Sequence, residues 1–433
     1  MSIQSAMYSG VSGLNTNSQA MSVIGNNLAN TNTIGFKGAR TVFSDLLSSN
    51  VTGSGGLSQV GRGVGLSTID NIFSQGTFET TASGTDVAIE GPGFFVLQDP
   101  GSDITYYSRA GSFRFDEDGY LISPEGLRVQ GKQYDFINND ELLPADPSAI
   151  QVANVGLLEA SATTELTFTS NLDEKSVELG GGAGDIDPVD RGTYSYSASA
   201  QIFDSLGQSH LITAYWRLVD DATNTWASGY TINNDPDTFQ EIPELLVFDE
   251  KGNRVDADGD GFPDDFTIPI NLPDPNDPGA NWPNGAAPQV INLTFDSTQY
   301  DSNSTVLGHK QNGFGAGDLV NVAINNEGIV VASYSNGRQV NMAQLVMAKF
   351  QNPGGLQLAG ANRYIAPAEV GAIRVGLPGP ELGKIFTNSL EQSNVDMGQE
   401  FVKMIATQRG FQANSKIITT VDEMLGELIN LKR

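Results

Sequence analysis

The sequence predicts a multidomain protein in which an α-helical coiled-coil stem, paired from the N- and C-terminal helices, carries mainly β outer domains. Three observations lead to this fold class. Helical periodicity occurs only near the two ends of the 433-residue chain. The middle holds many short β-type runs separated by turn signals, to which 49 Gly and 19 Pro residues contribute. The β pattern breaks off and resumes after a long acidic segment, which indicates one domain inserted within another.

The C-terminal segment is predicted to form one long helix, because no proline interrupts residues 394–433. Apolar side chains recur there at every seventh position: Met397, Met404, Phe411, Ile418 and Leu425. This spacing places them on one stripe of a helix. Ser393 and Asp396 are spaced as a capping box at its start, and the last two residues are basic, as the helix dipole favours. A stripe on a helix of roughly 55 Å needs a partner.

The N-terminal segment offers that partner. Its apolar side chains also recur at every seventh position: Met7, Leu14, Met21 and Leu28. On the adjacent row only Ile3 and Ile24 are apolar, because its other positions are Gly10 and Asn17. Small or polar residues fill the remaining faces, so this stripe cannot hold an isolated helix. We therefore expect the two ends to pair as a coiled coil whose burial is completed by copies of the same chain. A helical hairpin within one globular protein is the alternative.

Charge is distributed unevenly along the chain. The net charge is −28, and residues 156–308 hold 26 acidic but only 5 basic side chains. Nucleic acid is therefore not an expected partner, because phosphate binding needs clustered Lys and Arg. The acidic segment is expected to be a solvated exterior that resists nonspecific association.

The absence of cysteine excludes disulfides, thiolate metal sites and cysteine nucleophiles. The sequence contains no run of 18 apolar residues, so no membrane-spanning segment is expected. The N-terminus shows no basic region followed by an apolar core, so no cleavable secretion signal is expected. Export would therefore need another route.

Turn and composition signals predict the domain boundaries. Asp118-Gly119 and Asn336-Gly337 are turns between apolar runs on either side of the acidic segment. The predicted divisions are an N-terminal helix and turn at 1–41, a Gly/Ser-rich connector at 42–76, the first part of an inner β domain at 77–155, an inserted acidic outer β domain at 156–308, the second part of the inner domain with a return linker at 309–388, and the C-terminal helix at 389–433.

Within the outer domain the sequence predicts an antiparallel β fold. The expected strands are Tyr194–Phe203, His210–Val219 and Val290–Phe295, with a hairpin turn at Asp204–Gly207. The stretch Pro269–Pro288 carries six prolines and is expected to be an irregular surface excursion.

One constellation resembles a metal site. Carboxylates stand at loop positions 1, 3, 5 and 9, with Gly261 at the sharp turn, which matches the start of a calcium loop. The candidate ligands are Asp256, Asp258, Asp260, Asp264 and the Phe262 carbonyl. Position 12 is Thr267 in place of the usual Glu, and Asp265 is the residue that could complete the shell. We expect a structural calcium ion here, with a solvated acidic turn as the alternative reading.

The sequence predicts no enzyme and no required cofactor. His210 and His309 are the only two histidines, and we expect each to be structural or exposed. No zinc-protease, serine-hydrolase or phosphate-loop motif occurs, and Gly61, Gly63 and Gly65 lack the Lys-Ser/Thr that a phosphate loop requires. A glycosidase using two carboxylates is the remaining enzymatic alternative.

Three stretches carry a resemblance to a known family. Residues 26–37 read NNLANTNTIGFK, residues 86–97 read DVAIEGPGFFVL, and residues 393–425 read SNVDMGQEFVKMIATQRGFQANSKIITTVDEML. These stretches, in this order, resemble the flagellar rod and hook axial proteins, and Lys37 matches the first motif. Rod-type members lack a large inserted domain, so the insertion makes the chain similar to hook-type members.

The resemblance implies a structural subunit of the bacterial flagellar hook, located in the basal body and extracellular after export. Such subunits would polymerise into a curved, flexible tube, a universal joint that transmits motor torque from rod to filament in swimming. The implied partners are copies of the chain itself, the distal rod protein, the hook cap, the hook–filament junction protein and the flagellar type III export apparatus. Two alternatives stay open: a calcium-stabilised cell-surface adhesin and another rod-type flagellar axial protein.

Overall fold

A computed structural model describes most of the chain, namely residues 3–46, 49–53, 56–102, 104–135, 141–152, 157–255, 267–274 and 279–431. The chain divides into two compact units. The first unit comprises Met1–Val155, Val320–Ser333 and Gln339–Arg433. The second comprises Gly156–Leu319 and Tyr334–Arg338.

Two long helices stand at the ends of the chain, as the sequence predicts. Helix α1 spans Ile3–Ala29 and helix α2 spans Met397–Leu431, and the two pack against each other in the first unit. The predicted capping box was wrong, because Asp396 itself caps α2: its Oδ1 accepts a hydrogen bond from the Gln399 amide at 3.0 Å. In the described part of the chain, neither helix combines enough length and apolarity to span a bilayer.

The chain between α1 and the acidic segment forms strands of the first unit. They are β1 (Ala39–Asp45), β2 (Ser49–Gly53), β3 (Gly56–Val60), β4 (Val64–Asn71), β5 (Phe78–Thr80), β6 (Val87–Glu90), β7 (Phe94–Gln98), β8 (Thr105–Ser108), β9 (Arg114–Phe115), β10 (Leu121–Ile122), β11 (Arg128–Asp135), β12 (Glu141–Leu142) and β13 (Ser148–Ala149). Strand β1 pairs antiparallel with β4, and β2 with β3. The Gly/Ser-rich connector therefore forms a β ribbon over much of its described length. Gly63, at φ 108°, lets this ribbon approach Ser12 of α1 closely.

Among its described residues, the second unit consists of strands and two single-turn 3₁₀ helices, at Ala183–Asp185 and Arg191–Thr193. The strands are β14 (Leu157–Leu158), β15 (Glu165–Asp173), β16 (Tyr196–Phe203), β17 (Ser209–Asp220), β18 (Thr225–Ile232), β19 (Asp235–Val247), β20 (Thr267–Leu272), β21 (Gln289–Tyr300) and β22 (Thr305–Gln311). One sheet has the order β20-β21-β15-β22 and the other β16-β17-β18-β19. Large apolar side chains, including Trp216, Trp226 and Phe295, form one core cluster with residues of both sheets.

Two expectations for this unit were wrong. Strands β15 and β21 run parallel, so the fold is not purely antiparallel. The proline-rich stretch is not wholly irregular, since Pro269 lies in β20 and pairs with Asn292 of β21. Trp282, from the same stretch, is buried and stacks on His210 with ring centroids 3.7 Å apart. The predicted turn at Asp204–Gly207 is present, with the Gly207 amide donating to the Asp204 carbonyl.

The return of the chain completes the first unit. Its strands are β23 (Gly317–Ile324), β24 (Ile329–Tyr334), β25 (Gln339–Leu345), β26 (Met347–Phe350), β27 (Gln357–Leu358), β28 (Arg363–Ile365), β29 (Ile373–Gly376), β30 (Lys384–Thr387) and β31 (Ser389–Glu391), with 3₁₀ turns at Pro353–Gly355 and Ala368–Val370. Part of the largest sheet runs β23-β24-β25-β11-β7-β8-β28-β27, so strands from before and after the acidic segment share one sheet. Strands β30 and β31 pair with β6 and β5, and β31 leads into α2.

Candidate functional site: the terminal helices and their junction

Helices α1 and α2 approach each other closely because glycines line their contact. A Cβ built on Gly13 would lie 2.7 Å from the Asn414 side chain, and one built on Gly10 would lie 3.2 Å from Ile418 Cγ1. On α2, a Cβ built on Gly410 would lie 3.0 Å from Asn17 Oδ1. Side chains at these positions would push the helices apart, so the small residues set the distance between the two backbones.

The buried face of α1 consists of small and polar residues more than of large apolar ones. The residues with little solvent exposure are Gly10, Gly13, Thr16, Ala20, Ile24 and Asn27. Their spacing of three and four residues is the helical repeat expected of a packed face. On α2, Glu400 and Val421 are buried, 5% and 3% exposed. This face lies one row away from the sevenfold apolar stripe of α1.

The predicted assembly residues are only partly covered within one chain. On α1, the half-buried positions are Met7, Leu14, Met21 and Leu28. On α2, Met404 and Ile418 are half-buried, whereas Met397, Phe411 and Leu425 are exposed.

The exposed apolar surface of the helices extends beyond the predicted stripe. Phe401, Ile405 and Val402 are also exposed, the last by 68%, and Tyr8 of α1 is 67% exposed. Contiguous exposed apolar surface on a folded chain marks an interaction site. The terminal helix pair, α1 with α2, is therefore the candidate functional site.

The helix pair is joined to the strands by a polar junction, formed by residues 27–39, 72–76 and 389–400 together with Arg109. Asn27, near the end of α1, donates from Nδ2 to the Ala39 carbonyl at 2.7 Å, and its Oδ1 accepts from the Ala39 amide at 3.0 Å. The same Nδ2 lies 3.2 Å from Glu400 Oε2 of α2. One amide side chain thus connects both helices to the start of β1.

Asn394 makes the matching connection from the other end of the chain. Its Oδ1 accepts from the Gly38 amide at 2.8 Å, and its Nδ2 donates to the Ile72 carbonyl at 2.7 Å and the Ser74 carbonyl at 3.1 Å. The segment before α2 is therefore fixed to the turn after α1 and to the end of β4.

A buried charge cluster lies at the centre of the junction. Lys37 Nζ is 2.6 Å from Glu391 Oε1, and Arg109 Nη1 is 3.3 Å from Glu391 Oε2. The side chains of all three are at most 2% exposed. Burial lowers the pKa of Lys37 and of Arg109, because desolvation penalises the charged form, and the carboxylate of Glu391 partly offsets this.

Local sequence patterns do not indicate this junction. Lys37, Asn27 and Asn394 lie within the family motifs, but no motif pairs them with Arg109 or Glu391. Their partners stand far away in the chain, 354 positions in the case of Lys37 and Glu391, so no local pattern connects them.

The candidate calcium ligands Asp256, Asp258, Asp260, Phe262 and Asp264 lie outside the described residues. Among the residues that are described, no group of three or more His, Asp or Glu side chains is placed to hold a metal ion. The calcium loop stays a prediction.

Sequence models of four protein families match successive parts of the chain. The Flagella basal body rod protein family matches residues 7–37, and the Flagellar hook protein FlgE/F/G D1 domain matches residues 88–168. The Flagellar basal body protein FlaE D2 domain matches residues 171–314, and the Flagellar basal body rod FlgEFG protein C-terminal family matches residues 387–431. The first and last of these matches cover most of α1 and α2.

Known proteins resemble the chain over its whole length. The flagellar hook protein FlgE of Borreliella burgdorferi is 35% identical, with 99% of each chain covered. That of Escherichia coli K12 is 32% identical, covering 99% of this chain and 100% of the relative. The crystal structure of Helicobacter pylori flagellar hook protein FlgE2 shares the fold, with a TM-score of 0.53 and 15% identity over 72% of this chain and 100% of that one. The chain belongs to the flagellar hook protein FlgE family.

Proposed function

We propose that this chain is a structural subunit of the bacterial flagellar hook, not an enzyme, and that it polymerises into a curved flexible tube that transmits motor torque from rod to filament. The observation that carries the proposal is the terminal helix pair, which leaves a row of large apolar side chains uncovered in one chain. The whole-length resemblance to flagellar hook proteins supports the same reading.

The partner that best fits the uncovered face is a second copy of the chain. We propose that α1 and α2 form a coiled coil through their glycine-lined contact, and that the sevenfold stripes complete their burial against neighbouring copies. Helix α1 carries no charged side chain, so no charge on it opposes close packing of copies. A heterologous contact that does not close into a ring builds an open helical polymer, as a tube requires.

The β domains would form the outside of the tube. We propose that residues 156–308 are an acidic domain inserted between 77–155 and 309–388, which together make the inner β domain. The first compact unit is itself assembled from separated ranges of the chain, which supports this arrangement. Less firmly packed outer domains would slide past one another while the helix pairs carry torsional stiffness, so the tube could bend as it turns.

Further partners follow from the proposed role. They are the distal rod protein, the hook cap, the hook–filament junction protein and the flagellar type III export apparatus, through which the chain would pass unfolded. A hook subunit would lie in the hook of the basal body, outside the cell after export.

Deletion of residues 394–433 tests the proposal. It removes α2 and with it most of the uncovered apolar surface, so assembly should stop while near-ultraviolet circular dichroism shows that the β units stay folded. A surface adhesin stabilised by calcium would instead keep its binding after this deletion. Tubes formed by the truncated chain would contradict the role given to the helices.

A further inference from the structure

Glu391 is shared by two cations from different parts of the chain. Lys37 lies in the turn after α1, and Arg109 follows strand β8, yet each places a nitrogen on one of the two Glu391 carboxylate oxygens. No other carboxylate pairs with either cation in the part of the chain that the structure describes. The three side chains carry two positive charges and one negative charge in a site closed to water.

Backbone groups of the junction also converge on Glu391. The Gly35 amide donates to the Glu391 carbonyl at 2.7 Å, and the Gly76 amide donates to Oε1 at 2.8 Å. Lys37 Nζ also donates to the Ser74 carbonyl at 2.8 Å, while Arg109 Nη2 donates to the Gly91 carbonyl at 2.6 Å. One residue of β31 thus contacts the N-terminal turn, the segment before β5 and a side chain of the β domain.

The electrostatics make these contacts interdependent. A buried charge is tolerated only when it is paired, and removal of one partner leaves the other uncompensated. Undocking the C-terminal segment would leave Lys37 and Arg109 buried without an anion. If the N-terminal turn undocked instead, Arg109 would be the only cation paired with Glu391. The Glu391 carbonyl would also lose its hydrogen bond from the Gly35 amide.

Glu391 also lies near the end of α1 and the start of α2, where both helices are connected to the strands. Helix α1 ends at Ala29, shortly before Lys37, and α2 begins at Met397, shortly after Glu391. The Lys37–Glu391 ion pair therefore holds the end of α1 close to the start of α2 and to strand β31.

We propose that Glu391 is a positioning residue that makes docking of the N-terminal turn depend on docking of the C-terminal segment, so that α1 and α2 leave the β domain as one rigid unit. The proposal concerns the single chain and does not depend on polymerisation. It also gives a role to Lys37 of the N-terminal motif, which connects the turn after α1 to Glu391.

Hydrogen exchange on the full-length chain tests the proposal. Glu391→Gln keeps the shape of the side chain and removes its charge. The matched control is Glu381→Gln, which breaks an exposed pair with Arg374 whose side chains are 77% and 72% exposed. We expect Glu391→Gln to accelerate exchange of the Gly35 and Gly76 amides on the order of tenfold more than exchange of the β7 amides, which report the loss of global stability. Glu381→Gln should leave all of these amides as in the parent chain.

Rescue by the conservative variant separates positioning from bulk stability. Glu391→Asp keeps the charge, so exchange at Gly35 should lie between that of the parent and that of Glu391→Gln. Equal exchange in Glu391→Gln and Glu381→Gln would overturn the proposal, as would equal acceleration in β7 or no rescue by Glu391→Asp. If Glu391→Gln does not fold, Lys37→Met takes its place: a larger acceleration at Gly35 than in β7 supports the coupling, and an acceleration at Gly35 no larger than in β7 overturns it.

Discussion

Lys37 Nζ lies 2.6 Å from Glu391 Oε1 across 354 positions of sequence, and neither side chain reaches solvent. The pair joins the two ends of the chain where the terminal helices meet the strands. A bond between such distant positions costs loop-closure entropy, so the surrounding hydrogen bonds and packing must offset that cost.

The charge cluster predicts an unequal response to substitution. Glu391→Gln leaves two buried cations unpaired and should lower the free energy of unfolding by about 3–5 kcal/mol. Lys37→Met should cost less, because Glu391 keeps Arg109 as a counter-ion and a desolvated amine is removed. The exposed-pair control Glu381→Gln should cost at most about 1 kcal/mol. Urea unfolding measures all three, and equal losses for Glu391→Gln and Glu381→Gln would contradict the buried-pair description.

The glycine-lined helix contact predicts a positional effect of added bulk. A Cβ added at Gly13 would lie 2.7 Å from the Asn414 side chain, which is too close for a normal contact. Gly13→Leu should therefore separate α1 from α2 and abolish assembly. Gly25→Leu is the matched control, since nothing lies within 4 Å of a Cβ built there. Within the single chain the control should keep α1 packed on α2, and its helix should gain stability because Leu has the higher helix propensity. Circular dichroism of the unpolymerised chain checks the helices of both variants, light scattering during polymerisation checks assembly of Gly13→Leu, and normal assembly of Gly13→Leu would refute the close contact.

Asp204 predicts a pH dependence of stability in the second unit. Burial raises its pKa, but hydrogen bonds from His210, Asn284 and two backbone amides act more strongly, so the net pKa is below the usual range. A carboxylate whose folded-state pKa is depressed stabilises the fold above its unfolded-state pKa, and that contribution disappears as the pH falls through the folded-state value.

The measurement compares the parent chain with Asp204→Asn in urea unfolding from pH 7 downwards. The stability difference should be full at neutral pH and should shrink as the pH falls below about 4. Asp237→Asn, at an exposed position of the same unit, serves as control and should differ little from the parent at any pH. A difference that stays constant down to the acid limit of folding would show that the Asp204 charge is not what stabilises the turn.

The acidic loop predicts calcium binding with a structural role. Titration calorimetry of the full-length chain with calcium chloride should show binding heat that disappears when Asp256, Asp258 and Asp260 are all changed to Asn. Absence of heat at millimolar calcium would reject the site and leave a solvated acidic turn.

The sequence was most informative where structure is local. The heptad spacing located both terminal helices, and Asp204–Gly207 formed the expected turn because Gly207 supplies a positive φ. It was least informative about faces and partners. Hydrophobic spacing pointed to Met7 and Leu14, whereas Gly10 and Gly13 make the close contact, because small residues give no hydrophobic signal.

Contacts between residues far apart in the chain could not be predicted from a single sequence either. Strand β15 pairs in parallel with β21, and turn signals between neighbouring strands carry no information about such a pairing. The burial of Trp282 on His210 was hidden because proline-rich composition predicts an exposed loop, and tertiary packing overrides that local tendency. The Lys37–Glu391 pair has no local signature at either end.

Electron microscopy of the purified full-length chain, over a range of concentrations, tests the central claim most directly. The account predicts that the uncovered faces of α1 and α2 drive formation of curved, hollow tubes with helical order above a threshold concentration. A protein that stays monomeric at every concentration, with its terminal helices folded back as a self-contained pair, would contradict it.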